Sequence, residues 1–293
     1  MAQMTTEQGF ELFLKALTGN NFSKETIRAY RSDLQQFIEY LQTSRVDWNN
    51  PARISRVDIV EFMNHLHSVS RSGTTRARKL ASIRHFLSFL KENDVIAGNP
   101  AETVKRAKKE EKEPAVLYKN EYKAILFEAQ DNTRDFAILM LFLQTGIRES
   151  ELTHLTLTDI DLEHGELSVR QGKGKKDRTI PLEPQSVKAL QQYLAVRDDR
   201  LVLDEEILFL ARNGTSLNER SVRKLVRKYY DKAGVRKKGV HTLRHTFGAH
   251  KIANKMSIAT LQKLMGHNRK ETTLKYVHIA HTNIKQEQID TAL

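Results

Sequence analysis

Between Lys105 and Pro114 the chain reads KRAKKEEKEP, a stretch with one apolar side chain and charges of both signs. Such a segment has nothing to bury and favours an exposed connection. It divides a chain of 293 residues, longer than one hydrophobic core commonly serves, into two amphipathic stretches. The expected organisation is a first domain over 1–106, a charged linker over 107–115 and a second domain over 116–293. No internal repeat of fixed period is visible.

The first stretch reads as helices. Ile27, Tyr30, Leu34, Phe37, Ile38 and Leu41 recur at three- and four-residue steps after Ser23, which is placed as an N-cap. Ser55 and Asp58 form a capping-box pattern opening a second helix through Leu66. A third is expected from about Thr74 to Glu92, with Leu80, Ile83, Phe86, Leu87 and Leu90 on its buried stripe. Arg71, Arg76, Arg78 and Lys79 gather at its start, on the side expected to face away from the core. They suit either a solvated helix end or a helix entering a DNA groove.

The second stretch is also mainly helical. Helices are expected at Lys119–Gln130, Arg134–Gln144, Glu183–Arg197, Asn218–Ala233, His241–Asn254, Ser257–Leu264 and around Thr272–Tyr276. One hairpin interrupts them, with strands at Glu166–Arg170 and Arg178–Leu182 flanking the polar turn Gly172–Asp177. The fold class is therefore mainly α, with a small antiparallel sheet in the second domain. In the helix from Asn218, the bases Arg220, Arg223, Lys224 and Arg227 oppose Val222, Leu225, Val226 and Tyr229. A basic face of that kind suits a DNA groove, and equally a solvated surface.

A net charge of +12 favours a polyanionic partner, nucleic acid or an acidic membrane surface, although solubility alone also accounts for it. The absence of cysteine excludes disulfides, a thiol nucleophile and a cysteine-bound metal. No leader pattern opens the chain, and its longest apolar run is too short to cross a bilayer, so a cytoplasmic protein is expected. The GKGKKDR segment lacks the GxxxxGK[ST] spacing, which removes an ATPase reading. His241 and His245, four apart, have metal-ligand spacing but no nearby HExxH glutamate, and no metal is expected.

The chemistry-bearing residues form an ordered set. TGIRESEL places Arg148 on the turn after a helix-ending glycine. In HTLRH, His241 and Arg244 are three apart and share a helix face, where they can converge on one small anion. LMGH ends a helix with His267 just past it, and Tyr276 follows nine residues later. Taken in order with GKGKKDR, these motifs resemble the tyrosine site-specific recombinases of the phage-integrase family, Xer-like members most in length and spacing. The resemblance spans essentially the whole chain.

That resemblance implies a nucleophile at Tyr276, catalytic arginines at Arg148 and Arg244, a hairpin lysine at Lys173, histidine positions at His241 and His267, and a supporting acid at Glu151. It further implies a two-domain clamp on double-stranded DNA carrying a specific recombination site. Four protomers, alike or of two kinds, would join two such sites and exchange strands through a Holliday junction. A C-terminal segment would be donated to a neighbouring subunit, an accessory protein is a possible partner, and the setting would be the prokaryotic nucleoid. The sequence departs from common Xer wording at Gly248 and at Asn268–Glu271, which leaves the chemical set intact.

Phosphodiester cleavage needs a nucleophile, charge neutralisation at phosphorus and a proton for the departing oxygen. Guanidinium groups match phosphate oxygens and keep their charge, whereas a phenol attacks only when loss of its proton is assisted. Lys173 is the expected acid for the 5′-oxygen, and His241 and His267 share the remaining proton and phosphate contacts. No cofactor is required. Two alternatives remain at this level: a type IB topoisomerase that relaxes DNA without pairing sites, and a DNA-binding protein that does not cut.

Overall fold

Residues 4–44, 47–108, 113–170, 177–197, 206–236 and 239–291 are described by a computed structural model, by backbone alone beyond residue 280. They form two compact units, Met1–Lys112 and Glu113–Leu293.

The first unit is built from α1 (Thr6–Gly19), α2 (Lys24–Thr43), α3 (Arg56–Ser68) and α4 (Gly73–Glu92). Each start is fixed by a side chain that takes up a free backbone N–H. Ser23 accepts from Thr26, and Ser55 and Asp58 form the reciprocal box expected of them. The periodic residues Leu34, Phe37, Leu41, Ile83, Phe86 and Leu87 are fully or almost fully buried together. α1 was not foreseen. Its Phe10, Phe13, Leu14 and Leu17 join the same core, and Thr5 and Gln8 cap it with a box not recognised in the sequence.

The basic start of α4 is not uniformly outward, as had been expected. Asp33 on α2 is 1% exposed and accepts from Lys79 Nζ at 2.9 Å, from Ser82 Oγ at 2.9 Å and from Arg78. Lys79 is therefore buried and turned inward, because a buried carboxylate requires a partner of opposite charge. Arg71 and Arg78 remain exposed, Arg76 is half-buried, and Arg71 and Arg78 line a surface groove with Arg28 and Arg31 of α2. Asp33→Ala would strand Lys79 without its carboxylate and is expected to destabilise the unit by about 3–5 kcal/mol. Thermal denaturation followed by circular dichroism checks this; an unshifted first transition would show that the pair is dispensable.

The second unit contains α5 (Lys119–Ala129), α6 (Thr133–Thr145), α7 (Glu149–Thr153), α8 (Pro184–Leu194), α9 (Glu219–Lys232), α10 (Val240–Ala253), α11 (Ile258–Met265) and α12 (Lys270–Thr291). A three-stranded antiparallel sheet lies between α7 and α8, with strands β1 (Ile160–Asp161), β2 (Glu166–Val169) and β3 (Arg178–Pro181) in that order. The expected hairpin is the β2–β3 pair, in register Leu167 to Ile180 and Val169 to Arg178. β1 is too short to carry an alternation and went unrecognised. Ala137 to Phe142 of α6 are buried on every side, so α6 is the central helix of the main core. A second, smaller core gathers Phe247 and Ala249 of α10, Leu261 and Met265 of α11, and Tyr276 and Ile279 of α12.

Candidate active site

Two helix ends aim the cationic groups. α6 stops at Gly146, whose φ of +61° is a left-handed conformation open to glycine; a Cβ there would clash with the Phe247 ring. The chain then turns so that Arg148 caps α7. α11 stops in the same way at Gly266, with φ +61°, which leads into His267.

Three arginines converge on the end of α11. Arg178 Nε donates to the Leu264 carbonyl at 2.7 Å, Arg244 Nη2 to Met265 at 2.6 Å and Arg148 Nη2 to Gly266 at 2.5 Å. These are consecutive carbonyls at a helix C-terminus, where the helix dipole favours positive charge. Arg244, 5% exposed on α10, also donates through Nη1 to the Gly146 carbonyl, which ties it to the end of α6. Arg148 donates from its backbone N–H and from Nη1 to Glu151, at 2.7 and 2.6 Å.

Glu151 has a second partner, Arg178, to which no sequence motif assigns a role. Arg178 donates to both its carboxylate oxygens, at 3.0 and 2.8 Å, and is itself 8% exposed in its side chain. Arg178 thus connects β3, Glu151 and the α11 terminus. Its signal was available, since a base at the root of the hairpin must point to one face or the other, but the partner lay 27 residues away. Burial raises the Glu151 carboxyl, yet hydrogen bonds and charge from Arg178, and then Arg148, outweigh it and hold the group at about 2.

Linkage follows with a definite sign. The folded carboxyl lies below its ordinary 4.5, so its contribution is full above about pH 4.5 and is lost as pH falls towards 2. The depression corresponds to about 3 kcal/mol. Acid titration of stability should therefore be shallower between those limits for Glu151→Gln than for wild type; superimposable slopes would remove Glu151 as the titrating group.

Tyr276 is 1% exposed on α12. Its ring stacks at 13° against His267, centroids 6.2 Å apart, and its hydroxyl lies 3.0 Å from His245 Nδ1. Burial pushes the phenol up to about 12, opposed by the charges of Arg244 and Arg148. His267 is held at about 4 by burial and then by Arg244 and Arg148, and its Nδ1 lies 2.8 Å from Thr273 Oγ1. His245 is held at about 4 by burial and then by His241, Arg244 and Lys275. Both imidazoles are accordingly neutral near pH 7. Arg244 is lowered to about 10 by burial and by Arg148, and keeps its charge there.

The structure therefore brings Arg148, Glu151, Arg244, His267 and Tyr276 into one cluster. His241 stands at the exposed start of α10, its ring centroid 6.5 Å from that of His245. His245, weighed in the sequence only as half of a metal pair, is the histidine whose nitrogen meets the Tyr276 hydroxyl. Lys173 and the hairpin turn lie outside the described residues. On α9, Arg220, Lys224 and Arg227 are exposed, while Arg223 is engaged with Glu149 at 2.9 Å and Glu219 at 2.5 Å. Among the described residues no group of three or more His, Cys, Asp or Glu side chains is disposed to hold a metal ion, and no helix is long and apolar enough to cross a membrane.

A phenol flanked by two arginines and two neutral imidazoles, on a helical scaffold with one small sheet, is equipped for phosphoryl transfer to tyrosine. Residues 115–283 match the phage integrase family, and residues 10–94 match its N-terminal SAM-like domain. A tyrosine recombinase XerC of Thermodesulfovibrio yellowstonii is 37% identical over 267 residues, covering 88% of this chain and 86% of the relative. A tyrosine recombinase XerD of Listeria innocua is 31% identical, covering 90% and 91%. Among solved structures, XerA recombinase is 28% identical with a TM-score of 0.56, covering 98% of both chains. XerH bound to palindromic difH in a post-cleavage complex shares the fold, with a TM-score of 0.77 at 21% identity, over 97% of this chain and 84% of that one. The chain belongs to the phage integrase family and is a tyrosine recombinase.

Proposed function

We propose that the protein cleaves and rejoins double-stranded DNA at a specific site through a 3′-phosphotyrosine on Tyr276. The observation that carries this reading is the gathering of Tyr276, His267, Arg148 and Arg244 around the end of α11. The Tyr276 oxygen bonds to phosphorus as the bond to the 5′-oxygen breaks; the phenol gives up its proton and the departing oxygen takes one. Arg148 and Arg244 hold the non-bridging oxygens and stabilise the added charge of the transition state. Glu151 and Arg178 are positioning residues for Arg148. His267, neutral and stacked on the phenol ring, supplies a proton acceptor or a hydrogen bond to the phosphate, a role shared with His241. Lys173 serves as the acid for the 5′-oxygen. The phosphotyrosine retains the phosphodiester energy, so the reverse attack by a 5′-hydroxyl reseals either the original strand or its exchanged partner.

The first unit and the exposed bases of α9 supply further DNA contacts, with Arg71, Arg76, Arg78, Arg220, Lys224 and Arg227 as the contacting groups. Affinity should then fall steeply as salt rises, because bound Lys and Arg displace condensed counterions. The solved relatives include a lambda integrase tetramer bound to a Holliday junction, 17% identical with a TM-score of 0.76, covering 94% of this chain and 78% of that one. By analogy, four protomers on two DNA sites exchange strands sequentially here, in the cytoplasm at the nucleoid, with α12 extending towards a neighbouring subunit.

The test is capture of the covalent adduct. Protein is incubated in EDTA with nicked duplexes of random sequence, and SDS-resistant complexes are recovered and digested with trypsin. A nucleotide attached through its 3′-phosphate to the peptide containing Tyr276 is the expected result, and the recovered DNA identifies the site. Strong binding without any adduct, or attachment at another residue, would overturn the reading.

A further inference from the structure

The carboxylate of Asp33 holds more cations than its burial requires. At 1% exposure it has to be neutralised where it lies, and Lys79, buried beside it, does so through Nζ at 2.9 Å from Oδ1. Ser82 Oγ donates to the other oxygen, Oδ2, at 2.9 Å. Arg78 donates to that same Oδ2 through Nη1, with its side chain half exposed. The surplus positive charge therefore sits on the guanidinium that faces solvent. A surface groove runs there, lined by Arg28, Ser32 and Gln35 of α2 and by Arg71, Thr75 and Arg78 at and just before the start of α4. A solvent-facing arginine ordinarily gives up much rotamer freedom when a ligand fixes it. Arg78 has lost part of that freedom already, because its planar fork is bonded to a buried group on the neighbouring helix. The N–H donors left over lie in the plane that Asp33 sets.

We propose that Asp33 is a positioning residue for site recognition, holding Arg78 in the plane in which it reads one guanine in the major groove. The proposal rests on the reading that the first unit contacts duplex DNA at a specific site. Guanine presents O6 and N7 side by side on its groove edge, and an arginine fork bonds to both at once. A phosphate also accepts from arginine, and the surroundings favour the base. Pairing with Asp33 cancels part of the charge of Arg78, which weakens a mainly Coulombic contact and leaves the direction of its donors intact. Arg28 and Arg71, exposed on the same groove, supply charge for the backbone. Gln35 and Thr75, uncharged and on that groove too, carry groups of the kind that meet base edges. Asp33 thus does for Arg78 what the helix backbone cannot: it fixes the far end of a long side chain.

The experiment selects duplexes bound by the full-length protein from a randomised pool and sequences them, with wild type beside Arg78→Lys and Asp33→Asn. Wild type is expected to prefer guanine by about tenfold or more at one position that both variants no longer discriminate. Arg78→Lys keeps the charge and removes the planar fork. Asp33→Asn also loosens the fold, but a smaller folded fraction weakens every sequence equally and cannot change a preference at one base pair. Placing 7-deazaguanine, which lacks the N7 acceptor, at that position should weaken wild type by about fivefold and leave Arg78→Lys unaffected. If Asp33→Asn does not fold, Asp33→Glu takes its place, since it keeps the charge beside Lys79 and displaces the carboxylate. A guanine preference at every enriched position that survives Arg78→Lys, or that survives in a folded Asp33 variant, would overturn the proposal. So would an Arg78→Ala protein weakened uniformly across sequences with a shallower salt dependence, which marks a phosphate contact. A wild type that binds DNA but enriches no sequence would instead remove the site-specific reading, and the base contact with it.

Discussion

The Tyr276→Phe protein is expected to bind DNA as wild type does and to yield no SDS-resistant adduct at any time of incubation. The substitution removes one oxygen and nothing else. The ring keeps its place against His267 and Gly248, so the packing of the second core is retained. What is lost in the resting fold is the contact of the hydroxyl with His245, worth on the order of 1 kcal/mol. A modest stability change with a complete loss of chemistry is the signature of a group that forms a bond in the reaction. Gel-shift titration measures binding, and SDS electrophoresis of end-labelled DNA measures the adduct. A variant that still forms adducts would move the nucleophile elsewhere.

Arg244→Gln is expected to slow adduct formation by about 10²- to 10³-fold, the usual consequence of removing one preorganised donor to a developing anion. Unlike Tyr276→Phe, it should also destabilise the second unit. Arg244 is 5% exposed, and its two terminal nitrogens satisfy the carbonyls of Gly146 and Met265; a shorter amide leaves one or both unpaired, at about 1–3 kcal/mol for each. The two effects separate by temperature. Single-turnover rates on nicked DNA, measured where both proteins are fully folded, report the chemistry, and thermal denaturation reports the rest. A rate within about tenfold of wild type under those conditions would remove Arg244 from contact with the phosphate.

Much of the site was legible because its members lie near local signals. Gly146 and Gly266 announce helix ends, and Arg148 and His267 follow them within two residues, so their placement could be read from short segments. The helix spacing of His241 and Arg244 was equally local, yet it gave no information about depth, and in the fold Arg244 is buried while His241 is exposed. The residues that escaped notice make their decisive contacts across the chain. Arg178 meets a carbonyl 86 residues on, and His245 meets a hydroxyl 31 residues on. Lys79 was placed outward because basic residues ordinarily are; only Asp33, 46 residues away, turns it in. In the fold, the strong periodicities became helices with caps where Ser23 and Ser55 suggested, whereas the apolar stripe of α1 is short, four residues from Phe10 to Leu17, and carries a weaker local signal.

The row of arginines on Leu264, Met265 and Gly266 bears on how this protein can tolerate change. Every residue type contributes a main-chain carbonyl, so the anchors of Arg178, Arg148 and Arg244 do not depend on which side chains occupy those three positions, provided the turn at Gly266 can form. They depend on count. One residue inserted into or deleted from the last turn of α11 would rotate the carbonyls by about 100° and advance them by about 1.5 Å, and would displace all three guanidinium groups together. The identity of that turn is therefore limited by the packing of Met265 and the left-handed turn at Gly266, and not by the arginine anchors, which limit its length.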